Sequence, residues 1–265
     1  MYKTVRGRTY WIEQSGEGPV LVMLHGFTGS TRTYEEVIQD FSESLQIVRI
    51  DLPGHANTGS IGVLTMEQFC RDLHELLLQM NFHKVNILGY SLGGRTALSF
   101  SVLYPEMVDK LILESASPGL DSSEDQLARQ AQDEGLARKV MEDGIESFVK
   151  MWENIPLFQS QISLSEEAKN KLREERFSQD PKGLSESLLG MGTGKQPSWW
   201  DRLGSITAEV LLITGAEDTK FHSINERMMK ELPEAEWISV QQAGHTVHLE
   251  EPSIFAKIVE DFMIQ

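Results

Sequence analysis

The apolar stretch Val85-Asn86-Ile87-Leu88 runs into Gly89-Tyr90-Ser91-Leu92-Gly93 and then into the helix-forming Arg95-Thr96-Ala97-Leu98-Ser99-Phe100. A Gly-x-Ser-x-Gly at a strand-to-helix junction takes the chain through a sharp turn that lifts one hydroxyl above a sheet. The glycines serve close approach, because the turn presses backbone against neighbouring elements where a Cβ would clash. Ser91 is therefore the first residue whose chemistry needs an account.

A serine hydroxyl is a weak nucleophile or base until an imidazole takes its proton, and the imidazole needs a carboxylate to fix its tautomer. On this type of junction the partners follow in the order Ser, Asp or Glu, His. Glu209-Val210-Leu211-Leu212-Ile213-Thr214-Gly215 reads as a buried strand, and Asp218 lies on the loop that follows it. Trp237-Ile238-Ser239-Val240 is a further short strand, and His245 lies on the loop after it. The sequence thus predicts a triad of Ser91, Asp218 and His245. Asp218 also reads as the N-cap of a helix, with Glu217 as an adjacent competitor. His248 competes with His245, but its position places it in the turn leading to the last helix.

Strands and helices alternate through most of the chain. Thr9-Tyr10-Trp11-Ile12, Pro19 to Leu24, Leu45 to Ile50, Lys84 to Leu88 and Val108 to Glu114 are strand-like, and Met66 to Met80 is amphipathic. Such alternation makes an α/β fold with a mostly parallel, doubly wound sheet. Between Ser115 and about Leu203 the strand pattern stops. Ser123 to Met141 and Glu166 to Phe177 read as charged helices, broken by Asn154-Ile155-Pro156 and by Gly190-Met191-Gly192-Thr193-Gly194. Residues 116–203 are thus expected to form a helical lid inserted into a core of residues 1–115 and 204–265.

At 265 residues the chain can bury a large core. A formal net charge of −16 argues against nucleic acid and anionic membrane surfaces as partners. No apolar run is long enough for a membrane span, so no membrane insertion is expected. The single cysteine, Cys70, cannot form an internal disulfide and reads as a core residue, which fits a cytoplasmic location. The seven histidines are scattered and no loop has a phosphate-cradling pattern, so neither metal nor cofactor is expected. A monomer is the expected state. An anionic substrate would be repelled by the overall charge and would need local arginines to hold it.

Leu24-His25-Gly26-Phe27 closes the first long buried strand. An oxyanion hole in this arrangement takes one backbone N–H from that loop and one from the residue after the serine, here Phe27 and Leu92. Donors of this kind contribute about 3 kcal/mol each to transition-state stabilisation. His25 reads as a structural hydrogen-bonding residue that supports the loop.

Leu21 to Phe27, Asp51-Leu52-Pro53-Gly54-His55, Gly89 to Arg95, Gly215 to Asp218 and Gly244 to Pro252 together resemble the α/β-hydrolase superfamily across the whole chain. Within it, Gly89-Tyr90-Ser91-Leu92-Gly93-Gly94-Arg95, Ser117-Pro118-Gly119-Leu120, Trp152 to Phe158 and Gly190 to Ser198 resemble the 2-succinyl-6-hydroxy-2,4-cyclohexadiene-1-carboxylate synthases of menaquinone biosynthesis. The resemblance implies an elimination of pyruvate from a succinylated enolpyruvyl cyclohexene carboxylate, a lyase reaction without water. The Ser91 oxygen would act as a base toward carbon, with the oxyanion hole holding the enolate. It further implies a small anionic polycarboxylate substrate held by Arg95, Arg129 and Arg176, with Tyr90 and Trp152 lining the cavity. Guanidinium groups suit this role because they bind carboxylates bidentately. Trp199 and Trp200 are expected to anchor the lid. Two departures stand out: Ala56-Asn57-Thr58-Gly59 follows His55 where many relatives have a further glycine, and Arg129 is the only basic residue of Glu124 to Gln130. The first is expected to change the loop only locally. A carboxylesterase or carbon-carbon bond hydrolase would use the same triad, and a non-catalytic receptor could reuse the fold.

Overall fold

The computed structural model describes residues 1–41 and 45–264. Tyr2–Val5 (β1) and Arg8–Ser15 (β2) form an antiparallel hairpin. Arg6 and Gly7 turn it at φ 51° and 75°, the left-handed pair that matches strand twist. The sequence indicated only Thr9–Ile12 of this hairpin, because β1 is a short edge strand with little apolar content. The apolar runs become Val20–Leu24 (β3), Gln46–Ile50 (β4), Val85–Tyr90 (β5), Val108–Glu114 (β6), Glu209–Gly215 (β7) and Ala235–Val240 (β8). They form one sheet in the order β1-β2-β4-β3-β5-β6-β7-β8. Pairing is parallel from β4 to β8 and antiparallel at β1 and β2.

The strands are apolar on successive residues because both faces of the sheet are covered. Val22, Leu24, Leu111, Leu113, Val210 and Leu212 enter one core, and Leu21, Met23, Ile112, Leu211 and Ile213 enter the other. Each fully buried Leu, Ile or Val is worth roughly 1.5–3 kcal/mol relative to exposure, so these alternating residues fix the register.

Helix Glu35–Gln39 (α1) covers the second core, while Met66–Gln79 (α2) and Leu92–Leu103 (α3) cover the first. α2 starts at a reciprocal cap, in which Thr65 accepts from the Gln68 amide and the Gln68 side chain accepts from the Thr65 amide. Cys70 is buried in α2. After β6 come Ser123–Trp152 (α4), Glu166–Phe177 (α5) and Pro181–Met191 (α6), with tighter turns at Pro156–Ser163 and Trp200–Ser205. α4 runs past the expected Met141 and is broken at Gly144, whose φ of 76° is not helical. α6 has a clear start, with Asp180 accepting from the Lys182 and Gly183 amides and Pro181 at the first position. The chain then returns to β7, followed by Thr219–Glu231 (α7), β8, Val247–Glu250 (α8) and Pro252–Ile264 (α9), which packs beside α1. Among the described residues no helix is long and apolar enough to cross a membrane.

Two tryptophans tie the end of the inserted segment to α3 and to the loop after β6. Trp199 Nε1 donates to Ser99 Oγ at 2.8 Å and Trp200 Nε1 to the Gly119 carbonyl at 3.0 Å. The loop that carries Ala56-Asn57 touches the inserted helices through backbone atoms. The Ala56 amide donates to Gln179 Oε1 at 2.9 Å, and Gly54 meets Gly183 of α6 so closely that a Cβ on either would overlap the other's carbonyl oxygen.

Candidate active site

Ser91 ends β5 and begins α3 at φ 49° and ψ −105°, a conformation that costs a non-glycine residue on the order of 1–3 kcal/mol. Neighbouring backbone imposes it: the Ser91 amide donates to the Glu114 carbonyl at 2.9 Å, and the Arg95 amide donates to the Ser91 carbonyl at 2.8 Å. A Cβ at Gly93 would overlap the Leu24 carbonyl, and one at Gly89 would overlap that of Gly93, so the turn closes only with glycine at both positions.

β7 and β8 end side by side, which brings Asp218 and His245 to the same edge. His245 Nε2 lies 3.2 Å from Ser91 Oγ, and His245 Nδ1 lies 2.6 Å from Asp218 Oδ2. Asp218 Oδ1 meanwhile accepts from the Phe221 amide at 3.2 Å, so one carboxylate caps α7 and orients the imidazole. His245 and Asp218 are buried, and Glu217 is exposed. His248 is directed elsewhere, with Nδ1 2.7 Å from the buried Glu114 carboxylate.

His25 supports the neighbouring loop. Its Nε2 accepts from the Leu52 amide at 3.0 Å, so Nδ1 carries the proton and donates to the Gly26 carbonyl at 2.7 Å. Burial lowers its pKa to about 4, which keeps the ring neutral. Among the described residues the Phe27 and Leu92 amides donate to no backbone acceptor, and both residues line the same cavity as Ser91.

That cavity has a volume of about 500 Å³ and reaches from Ser91 and His245 to the inserted helices. Arg95, Arg129, Tyr90 and Trp152 are on its wall. Arg95 Nη1 donates to the Met191 carbonyl at 2.8 Å and to Gln196 Oε1 at 3.1 Å. Burial, and next the charge of Arg129, lower its pKa to about 10. Arg129 Nε donates to Asp133 Oδ1 at 2.8 Å, and Asp133 Oδ2 accepts from the Gly194 amide at 3.0 Å. Trp152 stacks on Phe148 with ring centres 5.7 Å apart, and its buried Nε1 has no acceptor among the described residues. Arg176 is placed differently. It is buried, its Nε has no partner among the described residues, and it lies over the Phe158 ring at 5.1 Å, outside the wall of this cavity. Its pocket is a smaller one, separated from Ser91 by Phe27, Tyr90 and Phe158.

Sequence reasoning passed over Asp133, Lys220 and the pair Asp121–Arg227, all on the cavity wall. The spacing of Arg129 and Asp133 was a usable signal, since residues four apart on a helix face one another. Lys220 offered only its nearness to Asp218.

Residues 19–252 match the family model described as the alpha/beta hydrolase fold. A protein of Bacillus subtilis (strain 168) is 43% identical over 256 residues, which cover 93% of this chain and 92% of that one; its name, given provisionally, is 2-succinyl-6-hydroxy-2,4-cyclohexadiene-1-carboxylate synthase. A protein of Enterobacter sp. (strain 638) named as that synthase is 28% identical over 238 residues, covering 90% of this chain and 89% of its own. The solved structure of MenH from S. aureus superposes with a TM-score of 0.89 at 33% identity, covering 95% of this chain and 97% of that chain. A thermophilic esterase from Thermogutta terrifontis, at 23% identity and a TM-score of 0.85 over 99% of this chain and 96% of its own, shares the fold. The chain therefore belongs to the α/β hydrolase fold family and, within it, groups with the 2-succinyl-6-hydroxy-2,4-cyclohexadiene-1-carboxylate synthases.

Proposed function

We propose that the protein eliminates pyruvate from 2-succinyl-5-enolpyruvyl-6-hydroxy-3-cyclohexene-1-carboxylate to give 2-succinyl-6-hydroxy-2,4-cyclohexadiene-1-carboxylate, a step of menaquinone biosynthesis. The observation that carries this reading is the presence of Arg95 and Arg129 on the wall of the Ser91 cavity, in a chain whose net charge is −16. A cavity for neutral esters has no use for two guanidinium groups, whereas a substrate with three carboxylates requires them.

The double bonds of substrate and product define the bond changes. Ring C2 loses a proton, the C3=C4 bond becomes C2=C3 and C4=C5, and the C5–O bond breaks. His245 Nε2 takes the Ser91 proton, and the Ser91 oxygen takes the proton from C2. Asp218 holds the His245 tautomer and stabilises the imidazolium. The Phe27 and Leu92 amides receive the enolate that develops on the succinyl ketone. The proton held by His245 then goes to the departing enolate of pyruvate, which restores the enzyme. Residues 116–203 act as a lid that excludes water, so that neither an acyl-enzyme nor hydrolysis enters the cycle. Trp152 and Tyr90 frame the ring. A monomeric state and a cytoplasmic location complete the reading, the latter consistent with a single buried cysteine.

The test follows pyruvate release from the enolpyruvyl substrate by wild type and Ser91→Ala, with p-nitrophenyl acetate in parallel. Rapid Ser91-dependent release with negligible ester turnover is expected. Ester cleavage without pyruvate would assign the protein to the hydrolases, and silence in both assays would favour a receptor.

A further inference from the structure

Lys220 occupies a place that the fold itself does not reward. It lies in the first turn of α7, two residues beyond Asp218, where the positive end of the helix dipole disfavours a cation. Its ammonium has no hydrogen-bond or ion-pair partner among the described residues, lies 5.3 Å from the centre of the Phe221 ring, and feels the Asp218 charge only at a distance. Crowding by neighbouring protein atoms, and after it the charge of Arg129, push its pKa down against the opposing charge of Asp218, although the side chain stays open to solvent. The nearby carboxylate, Asp218, is already engaged by His245 and the Phe221 amide. The residue is exposed at the cavity rim, so its ammonium can turn toward a bound anion without breaking an ion pair.

Its location narrows the choice of anion. Lys220, His245 and Leu157 line both the Ser91 cavity and a second, more open depression beyond it, and they form the partition between the two. Arg95 and Arg129 line the same Ser91 cavity, held by the Met191 carbonyl and Asp133, and are near enough for their charges to act on Lys220. The substrate proposed above carries three carboxylates, on the ring, the succinyl arm and the enolpyruvyl group. Arg176 lies behind Phe158, and Arg227, also on the wall, is spent on both carboxylate oxygens of Asp121, so Arg95 and Arg129 are left for two carboxylates and Lys220 for the third. The enolpyruvyl group is the fragment that must lie next to His245, because it takes the proton from that imidazole as the C5–O bond breaks.

We propose that Lys220 binds the carboxylate of the departing enolpyruvyl group, orienting it toward His245 and holding pyruvate at the partition through which it leaves. The proposal rests on the lyase reading. In the step itself the C5–O bonding pair departs with the three-carbon fragment, His245 supplies the proton, and the ammonium stays protonated throughout, neutralising a charge that is present before and after bond cleavage. Because it contacts ground state and transition state alike, the lysine contributes mainly to binding and positioning.

The experiment follows growth of the conjugated-diene absorbance in wild type, Lys220→Gln and Lys220→Arg, with pyruvate and then the diene product added as inhibitors. In Lys220→Gln the KM for substrate and the inhibition constant for pyruvate are expected to rise about tenfold or more, as for loss of one charge-assisted hydrogen bond. Inhibition by the diene product is expected to stay within about twofold, Lys220→Arg to recover most of the loss, and the Tm of Lys220→Gln to equal or exceed that of wild type. An unchanged pyruvate inhibition constant, an equal weakening of both products, or a Tm several degrees lower would overturn the proposal. A wild type that forms no diene would refute the lyase reading first and the role of Lys220 with it, whereas active wild type with an insensitive Lys220→Gln refutes the role alone.

Discussion

Glu114 and His248 form a buried pair with two points of contact, His248 Nδ1 at 2.7 Å from one carboxylate oxygen and the His248 amide donating to the other at 3.0 Å. The Glu114 carbonyl also accepts from the Ser91 amide. One residue at the end of β6 therefore fixes both the strained serine and the start of α8. Tyr90 packs between the two histidines, with ring centres 4.7 Å from His248 and 5.4 Å from His245.

Removing one member of this pair leaves the other polar group buried without a partner. His248→Ala is expected to cost about 3 kcal/mol of stability or more, which lowers Tm by roughly 6–12 °C for a chain of this size. Activity measured well below Tm should fall less than about tenfold, while His245→Gln should lower kcat by about 10³-fold or more. Thermal melts and pyruvate-release rates on the two variants check the assignment, and a larger kcat loss in His248→Ala would reverse it.

Asp218 serves both α7 and His245, and the two roles separate by substitution. Asp218→Asn keeps an oxygen for the Phe221 amide, so stability should stay within about 0.5 kcal/mol, while kcat drops by about 10⁴-fold because the tautomer is no longer fixed. Asp218→Ala should add a loss of about 1 kcal/mol from the missing cap. Glu217→Ala, on the exposed neighbour, should change neither quantity. Urea unfolding and kcat on the three variants are the measurement.

Two neutral histidines make the fold sensitive to acid. Burial holds His25 to a pKa of about 4, and burial followed by the neighbouring His25 holds His55 to about 3. The unfolded chain binds a proton at each near pH 6.5 while the folded chain does not. Stability from these groups is therefore complete above pH 6.5 and is lost as pH falls toward 4 and 3, each contributing a slope of about 1.4 kcal/mol per pH unit. His25→Gln should flatten the slope between pH 6.5 and 4.5 by about that amount in urea unfolding. Parallel curves for variant and wild type would contradict the neutral, buried assignment.

The contact between Gly54 and Gly183 joins the inserted helices to the loop that His25 supports. A methyl group at residue 183 meets backbone that cannot rotate away, so Gly183→Ala should cost roughly 1–3 kcal/mol and raise KM through displacement of α6. Gly135→Ala, in open space on α4, should instead be neutral or stabilising by up to about 1 kcal/mol. Tm and KM for the two alanine variants give the comparison.

The strands from β3 to β7 were legible because each is apolar on consecutive residues, a pattern that a sheet covered on both faces requires. Ser91 was legible from the flanking glycines, and Asp218 and His245 from their positions one loop beyond a strand. The second half of α4 and the whole of α6 were not, since Gly144 and the glycines of α6 disguise helices held by packing against each other. The partnership of Glu114 with His248 spans 134 positions, and no local pattern announces a contact made when separate elements reach the same edge.

By itself, then, the sequence determined the alternation of strands and helices, the serine turn and the order of the groups that face it, because these follow from the periodicity of apolar residues and from the glycines of one turn. Tertiary structure alone decided that His248 turns to Glu114, that Arg176 sits behind Phe158, and that Lys220 stands at the rim of the cavity without an ion pair among the described residues. Those outcomes depend on distances between residues far apart in the chain, which are set when the helices close over both faces of the sheet.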